Sequence, residues 1–213
     1  MDRIRSVDDL NGPAGRLEAL LNEGREDAPC AALVCHPHPV YGGTMHNKVV
    51  YHAMKAFQAH GLPVLRFNFR GAGLSEGEHD HGHGEQDDVK AALDWLQREY
   101  RLPLLFAGFS FGSSVGLRAC CGDERVKGLA ALGLPVQAGG RAYHYGFLAS
   151  CTQPKIFISG ANDEFGPQAL VEAAVAAAPP AELIFVPDAD HFFAGKLDQM
   201  QQPLAAWVGQ FAP

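Results

Sequence analysis

Short, continuous apolar runs alternate with longer segments of helical spacing along most of the chain. Runs at 30–35, 63–69, 103–109, 126–134, 155–159 and 183–186 have the length and aliphatic content of buried strands. Between them, 47–60 brings Val50, Met54 and Phe57 onto one helical face and stops at Gly61. A second helix opens at Asp87 and Asp88, where carboxylates suit the N-terminal dipole, and carries Val89, Ala92, Leu93 and Leu96 on one side. Further helices are predicted over 115–121, from Pro167 to 175, and over 197–211. Near the start, 3–7 and 16–21 read as short strands around the turn Asn11-Gly12-Pro13-Ala14-Gly15. Strand alternating with helix predicts an α/β fold, a mostly parallel twisted sheet with helices on both faces. In such sheets functional residues gather at the carboxyl ends of the strands.

Composition narrows the function classes. The 213 residues fit one domain spanning 1–213, long enough for a sizeable core. A formal net charge of −7 with no basic cluster to offset it argues against a nucleic-acid surface. No apolar run approaches the length of a membrane span, and the charged start Met1-Asp2-Arg3-Ile4-Arg5 lacks the apolar core of a signal peptide. Five cysteines, two of them adjacent at Cys120 and Cys121, do not make a disulfide framework. Reduced thiols and a cytoplasmic location are expected.

The run at 103–109 ends in Gly108-Phe109-Ser110-Phe111-Gly112, after which small residues open a helix. This is the pattern of a nucleophile elbow, with a serine on a sharp strand-to-helix turn that lifts its hydroxyl above the sheet. A turn that tight leaves no room for side chains two residues before or after the serine. A serine nucleophile needs a base and a carboxylate to orient that base, in chain order serine, acid, histidine for this architecture. The strand at 155–159 runs into Gly160-Ala161-Asn162-Asp163-Glu164, and the strand at 183–186 into Pro187-Asp188-Ala189-Asp190-His191. His191 is the only histidine beyond that acid, and Asp163 is favoured over Glu164, Asp188 and Asp190. The oxyanion of an acyl-transfer intermediate needs the backbone N–H after the nucleophile, here Phe111, and a second donor from an earlier loop. In Pro37-His38-Pro39 only His38 has an N–H, so it is the candidate, with Tyr41 and Gly42 behind it.

The chain resembles a small, lid-less group of α/β-hydrolases related to dienelactone hydrolases. The resemblance rests on His36-Pro37-His38-Pro39-x-x-Gly42-Gly43-Thr44-Met45-x-Asn47-Lys48 and on Arg66-Phe67-Asn68-Phe69-Arg70-Gly71-x-Gly73. The elbow, Gly160-x-x-Asp163 and Asp190-His191-Phe192-Phe193 complete it, over about 12–211. It implies an α/β-hydrolase fold, a Ser110–Asp163–His191 triad and ester-hydrolase chemistry; no cofactor or metal is expected. Dienelactone hydrolases proper carry cysteine where this chain has Ser110, and the wider superfamily often has aspartate where Asn68 stands, which leaves Asn68 only a loop-positioning role.

The segment between Pro135 and Pro154 allows a short loop and one helical turn, not a separate cap domain. An open site is expected, lined in part by Tyr41, Phe109, Phe111 and Phe192 and suited to a small-molecule ester with a short or accessible acyl group. A thioesterase or lactone hydrolase would use the same triad, and a hydrolase-like binding module is the non-enzymatic alternative. Other features compete less well. His36-x-His38 and His79-Asp80-His81-Gly82-His83 have metal-ligand content, but the latter reads as a solvated, Gly-rich acidic loop. Arg70-Gly71-x-Gly73-x-x-Glu76 has a glutamate where a dinucleotide fingerprint needs glycine. Cys35, inside an apolar strand, reads as core, and Cys151 as a second candidate thiol.

Overall fold

The apolar runs pair into one eight-stranded sheet. The computed structural model describes residues 3–138 and 141–212. Its sheet contains β1 (Ile4–Val7), β4 (Ala19–Asn22), β5 (Ala31–Cys35) and β6 (Val64–Phe67). It continues with β7 (Leu104–Phe109), β8 (Val126–Leu132), β11 (Lys155–Gly160) and β12 (Ala181–Val186). The remaining strands form two-residue ladders, β2 (Asn11–Gly12) with β3 (Gly15–Arg16) and β9 (Gln137–Ala138) with β10 (Arg141–Ala142). Spatial order is β1-β4-β6-β5-β7-β8-β11-β12, parallel from β6 to β12, with β4 and β1 added antiparallel at one edge.

Alternate residues of each central strand feed opposite layers, as the two-residue period of a strand requires. Leu33, Leu104, Phe106 and Phe157 pack into the layer covered by α2 (Gly84–Tyr100), α3 (Phe111–Cys120) and α4 (Gln168–Ala176). Val34, Leu105, Ala107 and Ile158 pack into the layer covered by α1 (Lys48–Gln58) and α5 (Leu197–Val208), which also touch each other. Both faces of the sheet are thus dry, which explains why its strands read as unbroken apolar runs.

The element boundaries depart from the sequence reading in places. The strand expected over 16–21 is interrupted at Leu17 and Glu18, where the Glu18 N–H donates to Ser75 Oγ at 2.9 Å. Helix α3 begins directly after Ser110, not at 115, because Gly112, Ser113 and Ser114 are small enough to sit against the sheet. Helix α2 begins at Gly84, not at Asp87: Asp80 Oδ2 accepts the Gly84 N–H at 2.9 Å. Glu85, fully buried, accepts from the Asp80 and Gly82 amides at 2.8 Å each. The segment at 79–83 is therefore no merely solvated loop. Asp88 is buried too, in a bidentate pair with Arg70 that reaches 2.7 Å and ties the loop after β6 to α2. Between β8 and β11 the chain forms the β9–β10 ladder and a 3-10 turn at Gly146–Ser150, and no separate lid stands over the sheet among the described residues. All five cysteines are free. No helix among the described residues is long and apolar enough to cross a membrane.

Candidate active site

Ser110 links β7 directly to α3 and holds φ 53° and ψ −119°, a conformation that costs a non-glycine residue roughly 1–3 kcal/mol. The surroundings over-determine it. Its N–H donates to Leu132 O of β8 at 2.9 Å, and its carbonyl accepts from the Ser113 and Ser114 amides and, at 2.6 Å, from Ser113 Oγ. A Cβ on Gly108 would stand 2.5 Å from the Gly112 carbonyl, and one on Gly112 would stand 2.4 Å from His36 O. The elbow glycines are thus required by backbone on both sides.

Three side chains from three strand ends meet above the elbow. Ser110 Oγ lies 2.8 Å from His191 Nε2, and His191 Nδ1 lies 2.8 Å from Asp163 Oδ2. A carboxylate only accepts, so Nδ1 carries the proton and Nε2 presents its lone pair to the serine hydroxyl. Asp163 Oδ1 is held by the amides of Phe165 (2.8 Å) and Gly166 (3.0 Å), which fixes the carboxylate. Asp163 and His191 are both buried, and the loops carrying them are joined by the Asn162 N–H donating to Ala189 O at 2.8 Å. The competing acids lie elsewhere. Asp190 Oδ1 caps the turn after His191 by accepting from Phe192 and Ala194 amides at 3.0 Å, while Glu164 and Asp188 are exposed. The His191 ring is packed by Phe165 and Phe109, with centroids 4.7 and 5.1 Å away.

The loop after β5 forms the opposite wall, and it is pinned by His36 and Arg66, whose partners the sequence did not declare, and by Asn68 in the loop-positioning role expected of it. His36 is fully buried and neutral: Nε2 accepts the Phe69 N–H at 2.9 Å, so Nδ1 carries the proton donated to Pro37 O at 2.6 Å. Burial pushes its pKa down to about 4, against a smaller opposing pull from the Pro37 carbonyl. With both nitrogens engaged, His36 is a latch between the ends of β5 and β6 and not a metal ligand. Farther along, the Met45 main chain is held from both sides. Its N–H donates to Asn68 Oδ1 at 2.8 Å and its carbonyl accepts from the Arg66 guanidinium at 3.1 Å. Asn68 Nδ2 also donates to Glu18 Oε2 at 2.7 Å, so this one residue positions two loops. Asn47 then caps α1 by accepting the Val49 N–H. The Arg70–Glu76 stretch is a tight turn with Gly71 and Gly73 at positive φ, and no helix opens there to receive a dinucleotide.

Ser110 and His191 face a pocket of about 330 Å³ whose walls include Pro37, His38, Phe111, Phe165 and Phe192. Tyr41 and Phe192, 80% and 52% exposed, stand at its rim. Phe109 is not on its surface: fully buried, it supports the rings of His191 and Phe192 from beneath, because as the strand residue before the elbow it points into the sheet layer. The Phe111 N–H is the first of α3 and lies beside Ser110. On the facing loop, Tyr41 and Gly43 amides donate to His38 O and the Gly42 amide to Pro39 O, so these three N–H groups are spent within the loop. His38 packs its ring on Phe111 and His79 at centroid distances of 4.7 and 4.8 Å. His79 Nδ1 stands 2.7 Å from Glu85 Oε1, outside hydrogen-bond geometry. No group of three or more His, Cys, Asp or Glu among the described residues is arranged to hold a metal ion. Cys35 and Cys151 are buried, and burial pushes the Cys35 thiol far above its ordinary range.

Residues 32–205 match the family described as an alpha/beta hydrolase domain. A lid-less alpha/beta serine hydrolase of Xanthomonas campestris is 34% identical, with a TM-score of 0.87 over 99% of this chain and 96% of that one. A dienelactone hydrolase of Anabaena variabilis has the same fold at 19% identity, with a TM-score of 0.81 over 100% of this chain and 99% of that one. An uncharacterised protein of Rickettsia prowazekii is 41% identical over 156 residues, 72% of this chain and 65% of that protein, so the chain spans less than two thirds of that relative's length. With the elbow, the sheet order and these likenesses together, the chain belongs to the alpha/beta hydrolase family.

Proposed function

We propose that this protein is a serine hydrolase that cleaves carboxylic esters with short or otherwise accessible acyl groups through an acyl-enzyme intermediate. The observation that carries the reading is the unbroken line Ser110 Oγ–His191 Nε2 and His191 Nδ1–Asp163 Oδ2, 2.8 Å at each link, at the floor of an apolar pocket. His191 Nε2 takes the Ser110 proton as Oγ bonds to the ester carbonyl carbon, and Asp163 stabilises the imidazolium that forms. The Phe111 and His38 backbone N–H groups receive the oxyanion. On collapse, the carbon–alkoxy bond breaks, Nε2–H protonates the departing alcohol, and the acyl group remains on Ser110. Water then repeats the cycle, giving the acid and free serine. No step calls on a cofactor or metal. The wild-type elbow residue is serine, which separates this site from dienelactone hydrolases proper; thioesters and lactones are open to the same attack.

The test is Ser110→Ala with p-nitrophenyl acetate. Deleting one hydroxyl leaves the fold intact by circular dichroism and lowers kcat by a factor on the order of 10⁴ or more. A tenth of wild-type activity surviving in the variant would overturn the assignment. Labelling by a fluorophosphonate probe, lost in Ser110→Ala, distinguishes an enzyme from a binding module on the same fold.

A further inference from the structure

A second cleft, of about 840 Å³, adjoins the pocket over Ser110, and Phe111 and Tyr143 line both. Its floor is one face of α3, where Phe111, Ser114, Val115 and Arg118 follow at i, i+3, i+4 and i+7. His81 and His83, ahead of α2, form one wall, and His144 and Phe147 form the other. These lining residues include one arginine and three histidines and no carboxylate, in a chain of formal net charge −7. The nearby acid Glu85 is turned inward onto the Asp80 and Gly82 amides and is not among the residues that line the cleft. The exposed Arg118 side chain is held in place: its guanidinium lies 4.5 Å from the Phe147 ring centre and donates to His144 O.

We propose that this cleft is an acyl subsite, and that the substrates are esters of dicarboxylic acids whose free carboxylate reaches Arg118. The inference rests on the ester-hydrolase reading above. The leaving alcohol must depart beside His191 Nε2 to be protonated there, so the acyl chain extends the other way, past Phe111 and Tyr143. Arg118 is seven residues beyond Phe111 on one helix face, so the acyl chain spans about 10 Å. Arg118 brings the one permanent charge among these lining residues, and the histidines add ring nitrogens able to hydrogen-bond, a combination that matches a terminal carboxylate.

The experiment compares p-nitrophenyl monoesters of a long dicarboxylic acid with the matched ω-methyl esters. In the wild type the free carboxylate raises kcat/KM over the methyl ester, and added salt narrows the gap. Arg118→Gln lowers that ratio by about fivefold, the scale of a partly exposed charged contact, and Arg118→Glu inverts it. Equal rates for the two esters in the wild type, or a ratio that Arg118→Gln does not move, would overturn the subsite. A terminal phosphate preferred over the carboxylate would overturn the ligand class. A second readout separates this from the esterase reading: calorimetric binding of the monoester to the Ser110→Ala protein, with and without Arg118→Gln. Arg118-dependent binding, with neither ester hydrolysed by the wild type, leaves the cleft standing and removes the esterase reading. Hydrolysis of neutral esters with binding insensitive to Arg118 does the reverse.

Discussion

The two backbone N–H groups proposed for the oxyanion differ in how they can be tested, because a side-chain substitution leaves a backbone donor in place. At His38 the distinction is accessible to mutation. Its φ of −54° and ψ of 119° suit proline, and so does a following Pro39. His38→Ala keeps the N–H and loses ring contacts with Phe111, His79 and Tyr41, so activity falls modestly. His38→Pro deletes the donor and lowers kcat by roughly 10²–10³, provided Ser110 still reacts with the fluorophosphonate probe. Alanine as damaging as proline would point to the imidazole instead. At this scale Ser110, His191 and Asp163 were legible because a glycine-flanked turn and fixed chain order mark them. Asp163 stood less apart from its neighbours, since only the folded turn shows Asp190 spent on capping and Asp163 held by two amides. Phe109 was misassigned for a related reason: residues flanking the serine alternate in direction, and the sequence does not say which side of the strand meets solvent.

Between elements, the site depends on latches whose partners cannot be read from sequence spacing. Strand and helix order could be read from apolar spacing, but the contacts of His36, Arg66 and Asn68 end on backbone atoms of other loops and leave no pairing pattern to find. The start of α2 was placed too late for the same kind of reason. Glu85 and Asp88 look like surface acids at a helix start and are in fact buried partners of a loop and of Arg70. The His36 latch has a measurable consequence. Its pKa is about 4 in the folded chain against an ordinary histidine value of about 6.5 when unfolded, so below that value the unfolded state binds the extra proton. The stability conferred by the neutral ring is complete above pH 6.5 and is lost as pH falls toward 4, roughly 3 kcal/mol in all. Urea unfolding at pH 7.0 and 4.5 checks this against His36→Gln, which keeps an acceptor for Phe69 but does not titrate. The wild type loses about 2 kcal/mol more than the variant between the two conditions. Equal losses would assign the acid sensitivity to other groups.

At the scale of the whole molecule, the absence of a separate lid decides how much of a substrate leaves water. The described residues between β8 and β11 form the β9–β10 ladder and one 3-10 turn, and among them no separate lid stands over the pocket above Ser110. Each methylene stabilises a complex by about 0.8 kcal/mol only while it is being buried. A pocket of about 330 Å³ with Tyr41 and Phe192 exposed at its rim stops burying a neutral acyl chain after a few carbons. Beyond that point a longer chain must enter the adjoining cleft, where Arg118 and the histidines offer little to a methyl end. For p-nitrophenyl esters of unbranched monocarboxylic acids, kcat/KM therefore peaks at short acyl groups and declines toward fatty esters. Measured across such a series at fixed ionic strength below micelle formation, a continuing rise with length would mean that the segment at 135–154 shelters the acyl chain after all. The dicarboxylate series behaves differently on the same surface. There the decline is reversed once the chain is long enough for its carboxylate to meet Arg118, so the two profiles cross, and the length at the crossing measures the span between Ser110 and the guanidinium.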